Sequence, residues 1–149
     1  MNQNLPPIII GCDHAAFNLK KTLINYLTKN QIVIKDVGTF NTDSIDYPDI
    51  AAKVASGVSA KKYQKGILMC GTGIGMSIAA NRFPGVMAAL CNDLFSAEMS
   101  RRHNDSNILV IGGRVVGDIL AIAILNKWLT TPFEGGRHKK RIEMFDAIT

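Results

Sequence analysis

The segment GILMCGTGIGMS, residues 66–77, ends an apolar run in a thiol, Cys70, and follows it with glycines at alternate positions, Gly71, Gly73 and Gly75. A glycine-rich loop between a strand and a helix turns successive backbone amides toward one point. Together with the helix N-terminus these amides form a concave site of positive potential. The glycines of such a loop, with Thr72 and Ile74 between them, let backbone approach a ligand that carries negative charge or develops it during reaction. The same amides stabilise a thiolate and so lower the pKa of a thiol at the mouth of the loop. Two plainer readings stay open at this point: a tight turn that needs left-handed backbone, and a cysteine that serves as a small buried hydrophobe. The loop is neither a P-loop, since no lysine follows its last glycine, nor a G-x-G-x-x-G fingerprint. A phosphatase cysteine loop would need arginine where Met76 stands, and a response regulator would need Asp and Lys where Cys70 and Gly112 stand.

Other polar groups cluster at three places. Asp13 and His14 follow the first apolar run, where Asp13 also suits a helix N-cap. RRHND places His103 and Asn104 just before the fifth apolar run. GGRHKKR carries Arg137 and Arg141 one helical turn apart, so both guanidiniums face one way. With His14 or Arg114 they could clamp a phosphate, the plainer alternative being a basic surface turn. Clamp, amide nest, thiolate and histidine together suggest one reaction. A sugar phosphate is held at its far end, a base removes a carbon-bound proton, and amides stabilise the resulting enediolate.

The elements that must position these groups are legible as alternating patterns. Apolar runs at 8–10, 32–37, 67–69, 86–90 and 108–111 read as strands. Helical patterns follow, with Ala16, Leu19, Leu23 and Leu27 on one face, Pro48 opening a second helix that carries Ile50, Val54 and Val58, and further helices over 75–81, 115–128 and 137–147. The strands are continuous and apolar rather than alternating, as in a parallel sheet covered on both faces. The expected fold is therefore α/β, a three-layer Rossmann-like (flavodoxin-like) sandwich with a five-stranded parallel sheet of order 2-1-3-4-5. In that order the ligand crevice lies between strands 1 and 3, whose ends carry Asp13-His14 and Cys70.

The chain has 149 residues, 47% of them hydrophobic and 19% charged, which fits one globular domain with its own core, residues 1–6 forming a loose leader. It has no membrane span and no secretory signal. Cys12, Cys70 and Cys91 have no CxxC spacing, which argues against a disulfide framework or zinc site and for the reducing cytoplasm. The net charge of +5 comes from scattered lysines, read as a solvated face, and from the arginines above. Without interleaved aromatics, nucleic-acid binding is the weakest reading.

GCDHAAF, DYPD, GILMCGTGIGMSIAANR, SRRHNDSNILVIGGRVVG and FEGGRHKKR, in this order over residues 8–148, resemble the ribose-5-phosphate isomerase B family, whose fold the galactose-6-phosphate isomerase subunits share. The resemblance implies interconversion of ribose 5-phosphate and ribulose 5-phosphate without metal or cofactor, by a homodimer or tetramer with active sites shared between subunits. It implies that Cys70 moves the proton between C1 and C2, where some relatives use a glutamate a few positions later; Gly75 and Met76 stand there instead. It further implies that His103 opens the furanose ring, that residues 71–75 hold the enediolate, and that Asp13 and Asn104 contact sugar hydroxyls. Tyr47 would line the pocket, and His14, Arg114, Arg137 and Arg141 would grip the phosphate. Isomerisation of a hexose 6-phosphate (allose or galactose) is the nearest alternative. A non-catalytic sugar-phosphate sensor is the alternative of another class.

Overall fold

The structure, a computed structural model, describes residues 5–145 and 148 of the chain. The apolar runs form β1 (Ile8–Cys12), β2 (Ile34–Asp36), β3 (Lys65–Cys70), β4 (Ala88–Leu90) and β5 (Ile108–Gly112). Every pairing is parallel. The order, however, is β2-β1-β3-β5-β4, not the expected 2-1-3-4-5. Burial explains the exchange. All five residues of β5 are buried, whereas β4 has three half-buried residues. The fully apolar strand takes the interior of the sheet, and the short one takes the edge, as β2 does at the other edge. The crevice between β1 and β3 is unaffected, because the chain still leaves β1 for β2 on one side and returns to β3 on the other.

A 3-10 turn over His14–Ala16 leads into α1 (Phe17–Lys29), followed by α2 (Tyr47–Ser59), α3 (Ile74–Ala80), α4 (Leu94–Asn104), α5 (Asp118–Thr130) and α6 (Arg137–Glu143). One core lies between the sheet and α1, α4 and α5, and a second between the sheet and α2 and α3. Leu19, Leu23 and Leu27 are buried on one stripe of α1, and Pro48 sits in the first turn of α2, both as expected. Helix α5 starts at Asp118 rather than 115. Residues 146 and 147 of the expected last helix, and residues 1–4 of the expected leader, lie outside the described residues.

Two features depart further from expectation. Helix α4 shows no apolar period, because Ala97, Ser100 and Arg101 are its buried residues. Its start is fixed instead by Asp93, whose carboxylate accepts the Ser96 amide at 2.7 Å. Among the lysines read as a solvated face, Lys20 is 1% exposed. Its ammonium donates to both oxygens of Asp36 at 2.7 Å and to the Thr39 carbonyl at 2.6 Å, which compensates its burial. Among the described residues no helix is long and apolar enough to cross a membrane.

Candidate active site

Strand register places the thiol. Cys70 ends β3 opposite Gly112 of β5, so its backbone stands beside the turn that follows β5. That turn is bound to the glycine loop: the Gly113 amide donates to the Cys70 carbonyl at 2.8 Å and the Arg114 amide to the Gly71 carbonyl at 2.9 Å. Gly73 has φ +80°, a conformation open to glycine, and from there its amide donates to Cys70 Sγ at 3.1 Å. Gly73 therefore does not line the cleft as the rest of its loop does. Its amide is turned inward, onto the sulfur.

Cys70 is 5% exposed yet opens onto a shallow cleft of about 560 Å³. Asp13, His14, Tyr47, Gly71, Thr72, Ile74, Gly75 and Arg114 line the same cleft. Asp13 also fills the plainer role foreseen for it, since its carboxylate accepts the Ala15 amide at 2.9 Å. His14 is oriented by the Ile45 amide, which donates to Nδ1 at 3.4 Å. A Cβ on Gly75 would lie 2.6 Å from the Tyr47 ring, so this glycine is what lets the phenol lie against the loop. The two other thiols are structural. Burial above all pushes the Cys12 thiol up to about 11 and raises that of Cys91, and both side chains are enclosed.

The remaining candidates lie elsewhere. Helix α4 runs back from the carboxyl end of the sheet and ends in His103 and Asn104, shortly before β5 begins. At that amino end the Gly66 amide, near the start of β3, donates to the Asn107 carbonyl at 2.9 Å. Cys70 and His103 of one chain thus stand at opposite ends of the strands. Helix α6 packs on α4 and carries the exposed Arg137 and Arg141, whose charges act on His138. His103, Asn104, Arg137 and Arg141 are absent from the lining of the Cys70 cleft.

Sequence reading left Glu134 and His138 unassigned, and the structure sets both against His103. The His103 and His138 rings stack with centroids 4.2 Å apart and planes within 6°. Glu134 Oε2 lies 3.5 Å from His138 Nε2 and 3.9 Å from His103 Nε2, while Oε1 accepts Arg102 Nε at 2.5 Å. One ligand atom from each of the three residues falls within 4.8 Å of the others, close enough to hold a metal ion. Yet rings so nearly parallel cannot both aim an in-plane lone pair at one ion, and Arg102 already holds one oxygen of the carboxylate. The only sequence hint was the four-residue spacing of Glu134 and His138. Their tie to residues 102 and 103 appears only once α5 has turned the chain back.

Comparison with known proteins shows what the chain is similar to. The profile of the family described as Ribose/Galactose Isomerase matches residues 8–145. The chain is 45% identical over 141 residues to ribose-5-phosphate isomerase B of Escherichia coli strain K12, covering 95% of each. It is 41% identical to a D-erythrulose-4-phosphate isomerase of Pectobacterium atrosepticum, over 91% of this chain and 90% of that one. Among solved structures, ribose-5-phosphate isomerase B of Clostridium thermocellum superposes with a TM-score of 0.94 at 46% identity, covering 96% and 97% of the two chains.

Proposed function

This chain belongs to the Ribose/Galactose Isomerase family, and from that premise we propose that it interconverts D-ribose 5-phosphate and D-ribulose 5-phosphate. One observation carries the reading: Cys70 lines an open cleft together with the glycine loop, and the Gly73 N–H is directed at its sulfur. His103 opens the furanose by taking the proton of the C1 hydroxyl as the ring oxygen acquires one. The Cys70 thiolate then removes the proton on C2. The electron pair of that bond becomes the C1–C2 double bond of an enediolate, and charge collects on O1, where the loop amides receive it. Returning the proton to C1, while the O2 hydroxyl proton passes to O1, completes the ketose.

The separation of Cys70 from His103 supports a reaction of two copies of the chain. Cys70, Asp13, His14, Tyr47 and Arg114 come from one protomer, and His103 of the partner subunit closes the site with the second protomer's Asn104, Arg137 and Arg141. Apolar side chains exposed on α3 and at the start of α4, Ile78 at 57% and Phe95 at 74%, are the kind of surface a second copy would cover.

The test is a coupled assay of the purified protein with ribose 5-phosphate and the four- and six-carbon phosphates alongside. Ribose 5-phosphate should give the highest kcat/KM, with solvent deuterium entering the substrate carbon skeleton. Binding without such exchange would mean a sensor, and preference for a hexose 6-phosphate would move the assignment to that sugar. Cys70→Ala should lose ~10²–10⁴ in kcat, the usual contribution of a general base, while still binding substrate. Near-normal kcat in that variant would overturn the role given to the thiol.

A further inference from the structure

Glu134 and His138 take no part in the reaction as written, yet both are built into the surroundings of His103. His138 is 7% exposed, an unusual depth for a side chain on a short helix at the molecular surface. Glu134 is fastened twice to the residue preceding His103. Its amide donates to the Arg102 carbonyl at 3.0 Å, and its carboxylate holds the Arg102 guanidinium, which also reaches Glu98 at 3.3 Å. This leaves Oε2 facing the two imidazoles.

We propose that His138 and Glu134 are positioning residues for His103, the stacked ring of His138 fixing the plane of the His103 imidazole and the Glu134 carboxylate selecting the nitrogen that keeps its proton. The inference rests on the ring-opening role given to His103. A negative oxygen 3.9 Å from Nε2 favours the tautomer protonated there, which leaves Nδ1 as the acceptor that ring opening needs. An imidazole free to rotate would present that nitrogen in few of its orientations. Stacking removes the freedom, because a parallel neighbour at 4.2 Å blocks one ring face. Burial first, then His103 and Arg137, hold the His138 imidazole below its ordinary range, while Glu134 acts in the opposite sense. That direction favours the neutral form of His138.

Ring form of the substrate separates this role from a merely structural one. Ribose 5-phosphate is mostly cyclic, whereas erythrose 4-phosphate, with O4 esterified, cannot close a furanose and needs no ring opening. Glu134→Gln and His138→Ala should lower kcat/KM for ribose 5-phosphate by about tenfold or more, part of the ~10²–10⁴ of acid–base catalysis. The loss with erythrose 4-phosphate should be at least threefold smaller. His138→Phe, which keeps a stacking face, should recover most of what His138→Ala loses. Equal losses on both sugars, or no recovery with Phe, would overturn the inference. His103→Asn tests the underlying assignment separately: if it leaves ribose 5-phosphate turnover near normal, the ring-opening role itself fails, whatever the other variants do.

Discussion

At the scale of single residues, the same element can be inert or reactive according to what surrounds it. Cys12, Cys70 and Cys91 differ little in exposure, but Cys70 has a cleft above it and an amide donating to its sulfur. Brief treatment with iodoacetamide at neutral pH should therefore alkylate Cys70 first, with parallel loss of activity and protection by substrate. Mass spectrometry would check this. Equal labelling of Cys12, whose thiol burial pushes up to about 11, would contradict it. Lys65 is a residue-scale case of the opposite kind. Burial first, then Arg101, bring its amine down to about 8, and its Nζ lies 5.1 Å from the Trp128 ring centre. An unfolded lysine titrates near 10.4, so between about pH 8 and 10 the unfolded chain binds more protons. Stability should rise with pH across that window as the folded amine sheds its charge, and the penalty should be fully present below it. Lys65→Met should be more stable at pH 7 by about 1 kcal/mol, a figure reduced for the open side of the amine, and should flatten the pH dependence. Urea unfolding at pH 7 and pH 10 measures both effects.

At the scale of elements, the site depends on how closely a loop can lie on the ends of two strands. A Cβ on Gly112 would stand 2.7 Å from the Thr72 carbonyl oxygen and 2.9 Å from its carbonyl carbon. Backbone atoms cannot rotate aside, so Gly112→Ala should lift the loop off the sheet. The expected outcome is a tenfold or greater fall in kcat with a stability loss of ~1–3 kcal/mol. Gly117→Ala, where a Cβ meets nothing within 4 Å, should retain kcat and serves as the control. Steady-state kinetics and thermal unfolding of the pair decide it. This scale is also where sequence reading was strongest and where it ran out. Continuous apolar runs announced β1, β3 and β5, because strands buried on both faces have no other composition. Helix α4 left no such trace, since it buries Ser100 and Arg101 in place of an apolar stripe. The position of β4 was equally hidden. Three half-buried residues carry too little apolar surface to announce an edge, and only packing puts β5 inside them. Cys70, Asp13 and His14 could be read as neighbours because a parallel sheet gathers strand ends. Glu134 and His138 could not, because their meaning depends on a loop folding back on α4.

At the scale of the whole molecule, the two halves of the proposed site sit at opposite ends of one sheet, and this geometry predicts a result that no single-chain enzyme would give. Cys70→Ala and His103→Asn should each be inactive on ribose 5-phosphate alone. When equal amounts are unfolded and refolded together, half of the dimers carry one chain of each kind. In such a hybrid, one site combines both substituted residues and is dead. The other combines an intact Cys70 with an intact His103 of the partner subunit and works. The mixture should therefore regain about a quarter of the wild-type activity, one working site among the four that two wild-type dimers would hold. If Cys70 and His103 served the same site within one chain, every chain in the mixture would keep its lesion and nothing would return. Mixing without refolding should give the slower subunit-exchange time course instead. A dilution series adds the concentration dependence, since a site shared between copies loses activity as the copies part. Recovery near zero after verified hybrid formation would mean that both residues act within one chain, and would overturn the shared site.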